Sequence, residues 1–305
     1  MAADATARRV LRALGREVEH PSPLGTGLAS DAWRVRSGPA WWALRIARDR
    51  PGAGATYPME HAVMAELARA GARVPRPVRG SWQLDGWTGP AFSVTTGLEG
   101  APLAESDRLR AAPALAAFLR VLHAQPVSGF GAVQVDGGAL RGEQSSMPAG
   151  LMAWARRPLW PLGHARLEDH AALADRPHLR ERLQAHAPVV RAALESGTGV
   201  LVHPDLHEEN ILDAGGEIGV IDFGEALIAP AAWEFAAVGY FTDDATADAT
   251  LSAYAADDAA RVRLRADSTA IGLCFGVHRW AHDGDLSEER DAFNDTFLRR
   301  TLARM

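Results

Sequence analysis

Three side chains in one short stretch could do chemistry together. Residues 200–226 read VLVHPDLHEENILDAGGEIGVIDFGEA. An apolar run, Val200–Val202, leads into a polar loop that holds Asp205 and Asn210. A Gly215-Gly216 turn and a second apolar run, Gly219–Ile221, then deliver Asp222. Apolar runs joined by a Gly-Gly turn predict a strand hairpin that brings the three polar groups near one another. A carboxylate can take a proton from a hydroxyl. A second carboxylate and an amide oxygen are hard donors suited to Mg²⁺. Transfer of a phosphoryl group from a nucleotide needs such a set.

The spacing His203-x-Asp205-x-x-x-x-Asn210, followed by Asp222-Phe223-Gly224, matches the kinase signature at its functional positions. In fuller form, HPDLHEENIL with IDFGEA resembles the aminoglycoside phosphotransferase family of small-molecule kinases. The resemblance implies an α+β, protein-kinase-like two-lobe fold with a small β-rich N-lobe and a larger helical C-lobe. Two departures from protein kinases stand out. Pro204 precedes the aspartate where they carry arginine, and where the family most often has glycine; its fixed φ stiffens the loop. After Gly224 the chain runs straight into Glu225-Ala226-Leu227, without an activation segment.

Upstream elements must position a nucleotide. Leu24-Gly25-Thr26-Gly27-Leu28-Ala29-Ser30 places Gly25 and Gly27 at a turn where backbone N–H groups can approach phosphates, with Ser30 at the usual third glycine. Trp41–Ala47 reads as a strand. In the kinase pattern the residue two positions after Ala43 is a phosphate-binding lysine; here it is Arg45, always charged and forked to fit phosphate oxygens. Residues 57–70 have helical periodicity, and Glu60 falls where the family's cation-orienting glutamate lies, in preference to Glu66. Residues 78–84 and 91–95 read as strands. Thr95–Gly97 then forms the expected hinge for an adenine ring, with Thr95 at its start. From there strands are expected to give way to helices. The expected units are 1–98, binding nucleotide, and 99–305, binding substrate and carrying catalysis.

In the C-terminal part, a helix over 106–124 ends at His123, read as a structural hydrogen-bonding residue. Helices are expected over 145–160 and 167–195, with Trp154 and Trp160 as core residues. Glu234 is expected to anchor the loop around Asp205. Related antibiotic kinases hold substrate amines with acidic residues of their last helices; the corresponding stretch here offers Asp243, Asp244, Asp248, Asp257, Asp258, Asp283, Asp285, Glu288 and Glu289.

Composition sets the outer bounds. The 305 residues are 47% hydrophobic and 23% charged, enough for a large core. All 32 basic residues are arginine. Residues 1–200 hold 24 arginines against 18 acids, and residues 201–305 hold 8 against 20, so the net charge of −6 divides into +6 and −12. An acidic C-terminal third argues against nucleic acid and favours a cationic small molecule. The single cysteine, Cys274, excludes a disulfide framework and lies in an apolar run. No apolar stretch reaches the ~20 residues of a membrane span, and the N-terminus lacks a signal-peptide core. A cytoplasmic monomer or weak dimer is expected, using ATP (or GTP) with Mg²⁺. The leading expectation is phosphorylation of a hydroxyl on an aminoglycoside or other basic antibiotic. A metabolic kinase for choline-like, amino-sugar or fructosamine substrates is the alternative. A non-catalytic pseudokinase has only Arg45 in its favour.

Overall fold

The computed structural model describes residues 2–15, 21–27, 29–37, 40–163, 166–280 and 287–305. Two compact units emerge: Met1–Gly100 together with Gly219–Gly224, and Ala101–Ile218 together with Glu225–Met305.

The first unit is built on one antiparallel sheet. Its elements are helix α1 (Ala2–Ala13), strands β1 (Ser22–Thr26), β2 (Ser30–Ser37) and β3 (Ala40–Ala47), helix α2 (Tyr57–Arg69), and strands β4 (Pro77–Gly80) and β5 (Phe92–Thr96). The sheet order is β1-β2-β3-β5-β4. Strand alternation decides what each face carries. Trp33, Val35, Leu44, Ile46, Phe92 and Val94 form one buried cluster with Ala7, Val10 and Leu11 of α1. On the opposite face, Arg45 stands in register with Ala32 and Ser93, and Ala43 with Arg34 and Thr95. A one-residue slip would exchange the two sets, so burying the aliphatic row fixes where Arg45 points. The expected strand over 78–84 is shorter than its sequence suggests: β4 stops at Gly80 and a 3₁₀ turn, Ser81–Gln83, follows.

In the second unit the chain passes through β6 (Ala101–Pro102), α3 (Arg108–His123), β7 (Val127–Ser128), β8 (Phe130–Asp136), β9 (Ala139–Gln144), α4 (Met147–Ala155), α5 (Pro177–Ser196), β10 (Gly199–Val202) and β11 (Ile211–Asp213). Strand β12 (Ile218–Val220) runs over the unit boundary, and β13 (Leu227–Pro230) leads into α6 (Ala231–Phe241), α7 (Asp244–Tyr254), α8 (Asp258–Trp280) and α9 (Glu288–Leu302). Strands do not give way to helices after residue 97 as expected. A second sheet, β10-β13-β8-β9-β7, lies within this unit. Its β8–β9 hairpin turns at Gly137-Gly138, both with positive φ (57° and 86°), the conformation a two-residue hairpin loop demands. The run Val200–Val202 pairs with β13, Val200 opposite Ala229 and Leu201 opposite Ile228. The helix expected over 145–160 ends at Ala155, where Arg156 turns left-handed (φ 54°). The one expected over 167–195 starts at Pro177, whose fixed φ suits a first helical turn, while Pro188 sits inside it.

The core of this unit is Trp233, Phe275 and Trp280 packed among leucines of α4, α5, α8 and α9. Trp160 belongs to it, and Trp154 packs against its edge, 5.7 Å from Trp233. Cys274 is fully buried there, and burial pushes its thiol up.

Candidate active site

In the first unit, Arg45 is gripped from two sides. Its Nη1 donates to Glu60 Oε2 at 2.5 Å and lies 3.3 Å from Asp222 Oδ1. Its Nε donates to Ser30 Oγ at 3.4 Å, and the guanidinium sits 5.2 Å over the Tyr57 ring. Glu60 is 1% exposed, and its other oxygen accepts from Thr56 Oγ1 at 2.7 Å. Burial pushes the Glu60 carboxyl up and Arg45 pulls against it. Burial also works against charge on Arg45, but Glu60 and Asp222 outweigh it and hold the guanidinium above its ordinary value. Glu66, the other acidic residue of α2, is bound to Arg69 on the exposed face.

Asp222 has φ +63°, in the left-handed region. A non-glycine residue there carries backbone strain of the kind found at functional sites. Its side chain is 47% exposed, so one carboxylate faces Arg45 while remaining open to solvent. A Cβ on Gly224 would lie 3.2 Å from Glu60 Oε1, so glycine lets the chain after Asp222 pass close to the buried carboxylate.

The glycine turn is tighter than a loose phosphate loop. Gly27 N donates to Ser30 O at 2.8 Å, closing the β1–β2 turn. Leu28, at its tip, is outside the described residues. Space for a Cβ at Gly25 is open. Ser30 is buried at the start of β2, where it serves Arg45. Thr95 lies inside β5, opposite both Ala43 and Pro77. The chain leaves the sheet beyond Thr96, where Gly97 N donates to Trp41 O at 2.7 Å.

In the second unit, the loop after β10 is locally wired. His203 is 1% exposed, and its N–H donates to Glu234 Oε2 at 2.8 Å; Glu234 is fully buried in α6. His123 lies 3.5 Å from the same carboxylate oxygen and 3.0 Å from the Tyr254 hydroxyl. His207 N donates to Asp205 O at 2.9 Å, and Asn210 Nδ2 donates to the same carbonyl at 2.9 Å. Leu206 is fully buried and pins the turn. The Asp205 carboxylate therefore projects from a fixed backbone, 32% exposed, with Oδ2 3.7 Å from His207 Nε2 and Oδ1 3.7 Å from Arg279 Nη2.

Arg279 is the neighbour that sequence reasoning passed over. A signal was present: it is the one formally charged residue in the run Ala270–Trp280. A cation kept within so apolar a stretch has a local partner to explain it. The acidic stretch from Asp243 to Asp258 makes its contacts within its own unit. Asp243 caps α7 through Thr246 N (2.7 Å). Asp244 binds Arg300 (3.0 Å) and Arg304 (2.7 Å), and Asp248 binds Arg304 (2.9 Å) and Arg265 (3.2 Å). Asp257 accepts from Ala260 N, and Asp258 pairs with Arg261 (2.9 Å). These carboxylates are engaged with caps and arginines of their own unit. Asp283 and Asp285 are outside the described residues.

A sequence profile of the phosphotransferase enzyme family matches residues 20–298. The chain belongs to that family, and it is a small-molecule phosphotransferase. No curated protein matches it in sequence. Several solved structures share its fold. A thermostable mutant of aminoglycoside phosphotransferase APH(4)-Ia, in ternary complex with ADP and hygromycin B, gives a TM-score of 0.69 at 18% identity, covering 96% of this chain and 97% of that one. The GDP complex of wild-type aminoglycoside 2'-phosphotransferase-IIIa gives 0.67 at 15% identity, covering 98% of each chain. Ethanolamine kinase from Plasmodium vivax gives 0.59 at 14% identity, covering 93% of this chain and 82% of that one. The fold is thus the α+β, protein-kinase-like one. Among the described residues no helix is long and apolar enough to cross a membrane.

Proposed function

We propose that the protein transfers the terminal phosphoryl group of ATP, or of GTP, to a hydroxyl of an amine-bearing small molecule. The observation that carries this reading is the Arg45 site: a cation held at 2.5 Å by a buried glutamate and flanked by a half-exposed aspartate. Such a cation neutralises phosphate charge without needing to reorganise.

The first unit then binds the nucleotide. Arg45 takes the α/β-phosphates, Glu60 positions it, the Gly25–Ser30 turn covers the phosphates, Ala43 borders the base, and the backbone beyond Thr95 receives the base edge. The second unit binds the acceptor. Asp205 accepts the hydroxyl proton. Asn210 and Asp222 are the Mg²⁺ ligands in this reading. The donor types suit it: the Asp222 carboxylate is 47% exposed, and Asn210 uses its Nδ2 on the Asp205 carbonyl, so its amide oxygen is the atom that would serve the ion. One or two protein oxygens completed by phosphates is the usual way Mg²⁺ is held. When bound, the ion offsets phosphate charge.

For the acceptor, an aminoglycoside or another basic antibiotic is the leading class, with the acidic balance of residues 201–305 in its favour. A cavity lined by Tyr240, Phe241 and Phe293 with Ser287, Glu289 and Arg290 offers aromatic faces and a carboxylate that suit an ammonium group. The ring of Phe241 also packs on His207, two residues from Asp205. A metabolic amine-alcohol kinase is the second reading, favoured by the fold shared with ethanolamine kinase. A radiolabelled-ATP screen over aminoglycosides including hygromycin B, basic cyclic peptides, choline, ethanolamine, amino sugars and fructosamines tests both. Transfer to an amine-bearing panel member is expected. No transfer to any member, together with no metal-dependent ATP binding, overturns the proposal.

A further inference from the structure

Arg279 stands at the C-terminal end of α8, where a cation is favoured by the helix dipole. Its side chain is 17% exposed. The guanidinium lies 5.1 Å over the Phe241 ring, and Phe241 in turn meets His207 edge-on at 5.8 Å. Tyr240 is a further neighbour, and its hydroxyl takes a hydrogen bond from the guanidinium. Its aim is therefore fixed by packing. Yet Nη2 stops 3.7 Å short of Asp205 Oδ1, beyond hydrogen-bond distance, and Nε has no hydrogen-bond partner among the described residues. The loop that carries Asp205 has no arginine of its own between His203 and Asn210.

This is a poor way to build an ion pair and a good way to station a donor for a third group. We propose that Arg279 binds the equatorial oxygens of the phosphoryl group while it is being transferred beside Asp205. The proposal rests on the phosphotransferase reading above. In that step the acceptor hydroxyl gives its proton to the Asp205 carboxylate as its oxygen bonds to phosphorus. The bond from phosphorus to the bridging oxygen of ATP breaks, and its electron pair leaves with ADP. An acceptor oxygen within about 3 Å of Asp205 places the phosphorus it attacks within reach of a guanidinium on the same carboxylate. The charge spread over the transferring group is what fixed donors stabilise most effectively.

The test uses full-length protein and two probes that need no knowledge of the acceptor. One is ATP hydrolysis with water as acceptor. The other is binding of ADP with Mg²⁺, with and without aluminium fluoride, by calorimetry, in wild type, Arg279→Ala, Arg279→Lys and Asp205→Ala. All four proteins should bind ADP alike. Aluminium fluoride should tighten ADP on the wild type and at least tenfold less on Arg279→Ala. Hydrolysis by Arg279→Ala should fall about 10²–10³-fold in kcat with KM for ATP unchanged, and Arg279→Lys should recover part of it. An Arg279→Ala protein with wild-type hydrolysis and full tightening overturns the proposal. So does a raised KM with unchanged kcat, which assigns Arg279 to ground-state binding. A wild type that binds ADP without any tightening overturns it as well and leaves the phosphotransferase reading standing. A wild type that binds no ADP removes both.

Discussion

Arg45 and Arg279 are both partly buried arginines facing carboxylates, and they are held in opposite ways. Arg45 is closed onto a buried glutamate at 2.5 Å. Arg279 is held by an aromatic ring and stands 3.7 Å from an aspartate that is a third exposed. In the first case the carboxylate exists to position the cation, and the pair is part of the framework. In the second the two groups keep apart, and both remain available to a ligand. The lesson is that an ion pair's distance and burial, more than its presence, tell a cation locked in place by its carboxylate from a pair in which both groups stay open.

Substitutions can break this contrast. The largest effect is expected at the open pair. Asp205→Asn should lower turnover by about 10²–10⁴-fold while leaving ADP affinity and the denaturation midpoint close to wild type. A large loss of stability there would make Asp205 a strut and erase the difference. At the closed pair stability should fail along with activity: Glu60→Ala leaves Arg45 partly buried with Asp222 as its one remaining carboxylate, costing about 3–5 kcal/mol in denaturant unfolding and raising KM for ATP. Unchanged unfolding would show that the grip is not structural. Arg45→Lys is a gentler probe. The shorter point charge loses the fork between Glu60 and Ser30, and a several-fold rise in KM for ATP with a stability loss of about 1 kcal/mol is expected. An improved KM would show that the arginine is merely tolerated.

The smallest effect concerns His61, which lies 2.8 Å from Ser93 Oγ and edge-on to Trp82 on the Arg45 face of the sheet. Burial, with help from the Arg45 charge, lowers its pKa to about 4. The unfolded chain takes up this proton near pH 6.5 and the folded one does not, so folding loses stability as pH falls from about 6.5 towards 4. His61→Asn should flatten that part of the curve of melting temperature against pH. An unaltered slope would place the titration elsewhere.

Much of this was legible in the sequence because it is local. The loop from His203 to Asn210 closes on itself through hydrogen bonds spanning at most five residues. Arg45 follows from strand alternation, since the aliphatic residues on either side of it dictate its face. The turn Gly137-Gly138 was equally local and could have revealed the second sheet. What the sequence hid was pairing at a distance. Nothing in a run of aspartates says that Asp244 and Asp248 will meet Arg304, more than fifty residues away. A roll of acidic residues offers such groups as free, whereas the fold spends them on Arg265, Arg300 and Arg304. Arg279 was missed for the same reason, its carboxylate lying seventy-four residues upstream.

The segment Gly219–Gly224 belongs to the first unit although it is made after most of the second. During synthesis, residues 1–100 emerge with Arg45 and Glu60 but without Asp222. At ribosomal speeds of about 5–20 residues per second, that carboxylate arrives on the order of ten seconds later. The sheet is complete by Thr96, so until then the first unit must stand without its last segment. A truncated chain ending near residue 100 would be the permanent form of that intermediate, so the first unit cannot be harvested whole by a single cut.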